Sequence, residues 1–125
     1  GEEEKKQVLD VFDTGILFRY EFDKERQGVY KVREFERAFA DYTGAGFAQA
    51  VTSGTAALKV ALAALGVGAG DEVITQGFTF VAAWEAIFDI GALPVFTEVD
   101  ETLNMDPVDL EKKITEKTKA IIPVH

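Results

Sequence analysis

A serine, a glycine and a threonine in succession, Ser53-Gly54-Thr55, stand where an apolar run of small residues gives way to the helical pattern Ala56-Ala57-Leu58-Lys59-Val60-Ala61-Leu62-Ala63-Ala64-Leu65. That order of residue types builds an anion-binding corner. The first amides of a helix have no acceptor inside it, the helix dipole puts its positive end there, and a glycine lets a ligand approach the backbone. Phosphate suits such a corner, with Gly54, Thr55 and Ala56 offering backbone donors and the Thr55 hydroxyl one more. Small residues at a strand-to-helix turn equally serve close packing, so the corner alone leaves both readings open.

A second group of residues invites the same question. Phe78-Thr79-Phe80 follows the apolar run Glu72-Val73-Ile74-Thr75, and an aromatic side chain at a strand exit can cover the ring of a ligand whose phosphate sits nearby. At alternate positions the two aromatics are by default ordinary core, and Phe78 is the one expected there. Trp84 is expected against the sheet or a partner subunit. Asp100-Glu101 reads as a charged turn rather than a general acid and base pair, and the charged run from Glu111 to Lys117 as a solvated helix face. His125, the one histidine, is expected to be exposed with no chemical role.

The elements that must position these residues follow from periodicity. Strands are expected over 47–52, 72–75, 93–99 and 119–124, and helices over 55–65, 80–90 and 107–114, where Asp106 can cap a helix with Pro107 in its first turn. Strict alternation of strand and helix implies an α/β fold, a largely parallel sheet with helices on both faces. Ligands in such sheets collect beyond the carboxyl ends of the strands, where 53–56, 76–80, Asp100 and His125 converge. Before this regular part, 5–12 has helical spacing that Gly15 ends, and 32–42 forms an amphipathic helix carrying Phe35, Ala38, Phe39 and Tyr42, stopped by Gly44 and Gly46. The aromatic stretch 16–22 is either a short strand or an arm. The expected division is 1–31, an N-terminal helix and aromatic arm, and 32–125, the ligand-binding part.

Composition narrows the class. With 22 acidic residues against 13 basic ones, a formal charge of −9, the chain is a poor partner for nucleic acid, whose binders need clustered positive charge. A hydrophobic content of 47% supports a real core, and no apolar run reaches the length of a membrane span, so a soluble protein with no membrane partner is expected. The absence of cysteine excludes disulfides and thiolate metal sites and fits a cytoplasmic location; no metal ligands are assigned. The spaced glycines of a dinucleotide fingerprint and the Gly-Lys-Ser or Gly-Lys-Thr of a phosphate loop are also absent.

Five segments in order then carry a resemblance: Thr52-Ser53-Gly54-Thr55-Ala56-Ala57-Leu58, Gly70-Asp71-Glu72-Val73-Ile74-Thr75, Phe78-Thr79-Phe80-Val81-Ala82, Gly91-Ala92-Leu93-Pro94-Val95-Phe96 and Thr118-Lys119-Ala120-Ile121-Ile122-Pro123-Val124-His125. The chain resembles the amino-terminal part of a DegT/StrS-type sugar aminotransferase, an enzyme of the aspartate aminotransferase fold (fold type I) that uses pyridoxal 5'-phosphate. The resemblance implies that Gly54, Thr55 and Ala56 hold the cofactor phosphate and that Phe80 stacks on the pyridine ring. It implies a keto sugar, nucleotide-linked, as acceptor, an amino acid, typically glutamate, as donor, and a homodimer. The family's Schiff-base lysine and the carboxylate that pairs with the pyridinium lie beyond His125. None of Lys59, Lys112, Lys113, Lys117 or Lys119 matches that lysine, so no catalytic residue is assigned and the chain alone is expected to be inactive. Leu17 to Arg26 is longer than the corresponding family segment. The alternative reading is a non-catalytic truncated or split product that acts as an assembly module through an exposed sheet edge.

Overall fold

The computed structural model describes residues 1–125, which fall into two compact units, Gly1–Ala50 and Val51–His125. The first unit is helical. α1 (Glu2–Thr14) begins with three glutamates, which suit the positive end of its dipole, and closes on Gly15 in the left-handed conformation, φ 69°, where glycine has no Cβ to clash. An arm of bends and turns follows, with Glu21 and Phe22 also at positive φ, so the aromatic stretch is an arm and not a strand. α2 (Lys31–Thr43) ends on Gly44, φ 71°. Lys31 pairs with Asp10 of α1 at 3.0 Å.

The amphipathic helix is there, yet its aromatic face is not what it buries. Phe35, Phe39 and Tyr42 are exposed, while Glu36 and Ala40 are buried. The reason is electrostatic. The Arg19 guanidinium reaches Glu36 at 2.5 Å, and the Ala50 amide donates to the same carboxylate at 2.8 Å, so the arm and the segment before Val51 both fold over the Glu36 side of the helix.

In the second unit α3 (Gly54–Ala64), β1 (Glu72–Gln76), α4 (Ala82–Asp89), β2 (Leu93–Thr97), α5 (Pro107–Lys113) and β3 (Thr118–Ile122) alternate as expected. The sheet has the order β2-β1-β3, and β1 pairs in parallel with both neighbours, Ile74 facing Val95 on one side and Ile121 on the other. β1 is central and buried almost throughout, which is why it reads as a continuous apolar run. α4 packs on β1 and β2, α5 on β2, and α3 on α4. Leu62, Val67, Val73, Ile87 and Ala92 form the core cluster, with Trp84, Ile90, Ala120 and Ile122 packed against it. A fully buried isoleucine such as Ile87 contributes about 1.5–3 kcal/mol. Asp106 caps α5 by accepting the Val108 amide at 2.8 Å, with Pro107 in the first turn.

One expected strand is missing. Residues 47–52 form no strand, because β2-β1-β3 supplies no neighbour to complete a ladder there; Phe47 is 96% exposed and Ala50 gives its amide to Glu36 instead. No helix is long and apolar enough to cross a membrane.

Candidate functional site

The start of α3 is a capped helix end. Ser53 stands in extended conformation, its Oγ accepts the Ala56 amide at 3.1 Å, and its carbonyl accepts the Ala57 amide at 3.0 Å. Gly54 and Thr55 occupy the first two helical positions, and their amides have no acceptor in the protein. The three amides expected to act alike are therefore unequal: two are available, and the third is held by Ser53. A Cβ placed on Gly54 would meet nothing within 4 Å. Neither this chain's packing nor its backbone angles demand a glycine there.

Beside this helix start lies a groove of about 380 Å³ lined by Gly54, Thr55, Leu58, Thr79, Phe80 and Val124, with Ala82 and Ala83 of α4 beneath. Three distant stretches of sequence thus meet at one place: the opening of α3, the turn between β1 and α4, and the residue beyond β3. Phe80 is 79% exposed at that groove and does not point into the packed interior. Phe78, assigned to the core, is instead 64% exposed. The turn carrying it leaves the sheet, while Trp84 of α4 packs against the core cluster and meets Phe88, and Phe96 of β2, edge to face at 6.3 and 6.4 Å.

The remaining strand exits do other work. Asp100 accepts the Thr102 amide at 2.8 Å and its hydroxyl at 2.6 Å, which holds the Asp100 carboxyl below its usual range and makes it the anchor of a turn. His125 is exposed, and neither it nor Asp100 lines the groove. Lys59 pairs with Asp89 of α4 at 2.8 Å on the surface. Gln76, placed by the sequence in the converging 76–80 stretch but given no role of its own, is 2% exposed at the end of β1. Its Oε1 accepts the Val124 amide at 2.9 Å, and its Nε2 faces the carbonyls of Leu103 at 3.4 Å and Phe78 at 3.5 Å. The available signal was an amide closing an otherwise apolar strand, where burial requires partners.

A parallel sheet with a capped helix start and an aromatic rim at its strand exits is the large-domain layout of fold type I aminotransferases, and solved structures bear this out. The crystal structure of 3-amino-5-hydroxybenzoic acid (AHBA) synthase matches all of this chain and 31% of its own with a TM-score of 0.88 at 39% identity. NtdA from Bacillus subtilis, with bound cofactor PMP, matches 96% of this chain and 27% of its own with a TM-score of 0.76 at 31% identity. The chain belongs to the DegT/DnrJ/EryC1/StrS aminotransferase family, whose model matches residues 1–125.

Among curated relatives, the spore coat polysaccharide biosynthesis protein SpsC of Bacillus subtilis (strain 168) is 46% identical over 126 residues, covering all of this chain and 30% of that protein. The UDP-2-acetamido-2-deoxy-3-oxo-D-glucuronate aminotransferase of Pseudomonas aeruginosa is 49% identical over 126 residues, covering 97% of this chain and 34% of that protein. The chain spans about a third of the length of the relatives it matches.

Proposed function

We propose that this chain is the cofactor-phosphate-binding part of an aminotransferase that moves an amino group from an amino acid, glutamate being the donor expected, onto a keto sugar carried on a nucleotide. The family and the PMP-bound neighbour indicate pyridoxal phosphate as the cofactor. The observation that carries the reading is the groove that brings the unpaired amides of Gly54 and Thr55 to the same place as the exposed Phe80 ring. Those amides and the Thr55 hydroxyl would hold the phosphate, the open side of Gly54 admits it, and Phe80 would cover the ring. Ala56 joins only if Ser53 Oγ releases its amide. The bound cofactor supplies the electron sink that amino transfer requires. What this chain contributes is anchorage: it fixes the charged tail, orients a flat ring and leaves the other face of that ring free.

The nucleotide-linked sugar follows the Pseudomonas relative, whose name specifies a UDP-linked oxo sugar. A homodimer belongs to the same reading and is checked by sedimentation. Titrating the chain with pyridoxal 5'-phosphate and with pyridoxal tests the core of it. The phosphorylated form should bind at least about tenfold more tightly, the loss of one or more charge-assisted hydrogen bonds. Thr55→Val should erode that preference, and Phe80→Ala should weaken both ligands. Equal affinity for the two compounds would sink the assignment. Amino transfer itself is to be assayed in a protein that carries this segment together with the remaining length of the family.

A further inference from the structure

The first unit holds a second concavity, and its lining carries one sign of charge. A cavity of about 110 Å³ is bounded by the end of α1, the arm and the start of α2; Arg19, Arg26, Lys31 and Arg33 line it beside Tyr30, and no aspartate or glutamate does. In a chain with 22 acidic and 13 basic residues, four cations around one cavity without a carboxylate run against the composition.

Two of the four are neutralised by groups outside the lining. Glu36 takes Arg19 at 2.5 Å, and Asp10 takes Lys31 at 3.0 Å. Arg26 and Arg33 form no salt bridge, although the Arg33 charge also acts on Glu36. Arg26 is 5% exposed, and only neutral carbonyls meet it: Nε donates to Glu21 at 2.7 Å, and Nη2 donates to Tyr20 at 3.2 Å and to Phe18. Its Nη1 has no acceptor in the protein. The Arg26 and Arg33 guanidinium carbons lie 5.4 and 4.7 Å from the centre of the same Tyr30 ring, which brings two positive charges to one side chain. The Tyr30 hydroxyl donates to Asp23 at 2.6 Å, so the phenol itself is already engaged. No carboxylate bonds to Arg26, and its Nη1 is the one donor left for an anion in the cavity.

We propose that this cavity binds a phosphate-class dianion, with Arg26 and Arg33 as its charge partners. Two guanidiniums without a salt bridge offer two positive charges to a dianion, Arg26 through its free Nη1 and Arg33 through its exposed head. The volume holds three to four waters at roughly 30 Å³ each, which is about the bulk of one phosphoryl group. The site lies within the first unit and shares no residue with the Gly54 groove, so it stands whether or not the cofactor reading does.

Calorimetric titration of the 125-residue chain with inorganic phosphate, UDP and uridine tests this, using the unaltered chain, Arg33→Gln and Thr55→Val. Arg33 is exposed on α2, so its substitution leaves the fold standing. Phosphate and UDP should bind and uridine should not. Arg33→Gln should weaken the phosphate site about tenfold or more, and Thr55→Val should leave that site intact. UDP binding tighter than inorganic phosphate assigns the dianion to a nucleotide; equal affinity assigns it to a free phosphate. The proposal is overturned if Arg33→Gln binds as the unaltered chain does, if uridine binds as well as UDP, if nothing binds, or if the one phosphate site disappears in Thr55→Val. A failed pyridoxal 5'-phosphate titration with phosphate still lost on Arg33→Gln would remove the cofactor reading and keep this one.

Discussion

The side-chain oxygen of Gln76 accepts the backbone amide of Val124 at 2.9 Å and so fastens the residues beyond β3 to the end of β1. Gln76 is buried, and its amide nitrogen faces the carbonyls of Leu103 and Phe78. One side chain therefore ties together three strand exits, one of which, through Val124, lines the groove beside Thr55 and Phe80. Gln76→Ala leaves the half-buried Val124 amide and the carbonyls of Leu103 and Phe78 without their side-chain partner and opens a small void. The expected loss is about 2 kcal/mol, read as a lower urea midpoint. Pyridoxal 5'-phosphate affinity should fall with it, because the Val124 wall of the groove loses its tether.

The Glu36 carboxylate is the hub of the first unit, and its ionisation should set that unit's acid limit. Arg19, and then the Ala50 amide, hold its carboxyl below the usual glutamate range despite burial, which acts the other way. A folded-state pKa below the unfolded value means that stability is fully present above the ordinary glutamate range. It is lost as pH falls through that range towards the depressed folded value. Unfolding midpoints measured from neutral pH downward should show this loss in the unaltered chain and a flatter profile in Glu36→Gln. A profile of equal slope in both would mean that other carboxylates govern acid unfolding.

Much of this was legible beforehand for a physical reason. β1, β2 and β3 are short apolar runs bounded by turns, and α3, α4 and α5 have the right period, so local pattern and tertiary structure agree. Legibility failed where a residue's state depends on a distant partner. Residues 47–52 have strand-like composition but no neighbouring strand, and Phe78 sits on a turn that leaves the core. The aromatic stripe of α2 was visible, while the burial of Glu36 beside it needed Arg19, seventeen positions earlier. Gly54 and Thr55 could be proposed from sequence because they open the helical run of α3, and Phe80 because it follows the apolar run of β1; their meeting with Val124 required the fold. Gln76 was hidden because its partners, Val124 and Leu103, lie 48 and 27 positions away.

Ser53 makes a separable prediction, because its hydroxyl competes with any anion for the Ala56 amide. Ser53→Ala removes a helix cap and should lower stability by about 1 kcal/mol in urea unfolding. It also releases a third amide at the α3 start. Pyridoxal 5'-phosphate affinity, measured where the variant is fully folded, should therefore hold or rise. A fall in affinity would show instead that the Ser53 hydroxyl itself contacts the phosphate.

Thr97 closes β2 with a hydroxyl that is buried and has no hydrogen-bond partner, the one such side-chain atom in the chain. Its carbonyl is used, accepting the Gly77 amide at 3.1 Å, so the backbone at this point is fixed by the turn that leads to Phe78 and Phe80. The side chain contributes nothing comparable, and an unpaired buried hydroxyl forfeits the hydrogen bonds it made to water in the unfolded chain. Thr97→Val keeps the shape and the β-branch that suit a strand while removing the polar atom. The variant should be more stable by about 1 kcal/mol, seen as a higher urea midpoint with an unchanged slope. Because the backbone bond to Gly77 survives, the groove should keep its affinity for pyridoxal 5'-phosphate. If Thr97→Val is instead less stable, the hydroxyl has a partner in solution, and a bound water at the exit of β2 becomes part of the site.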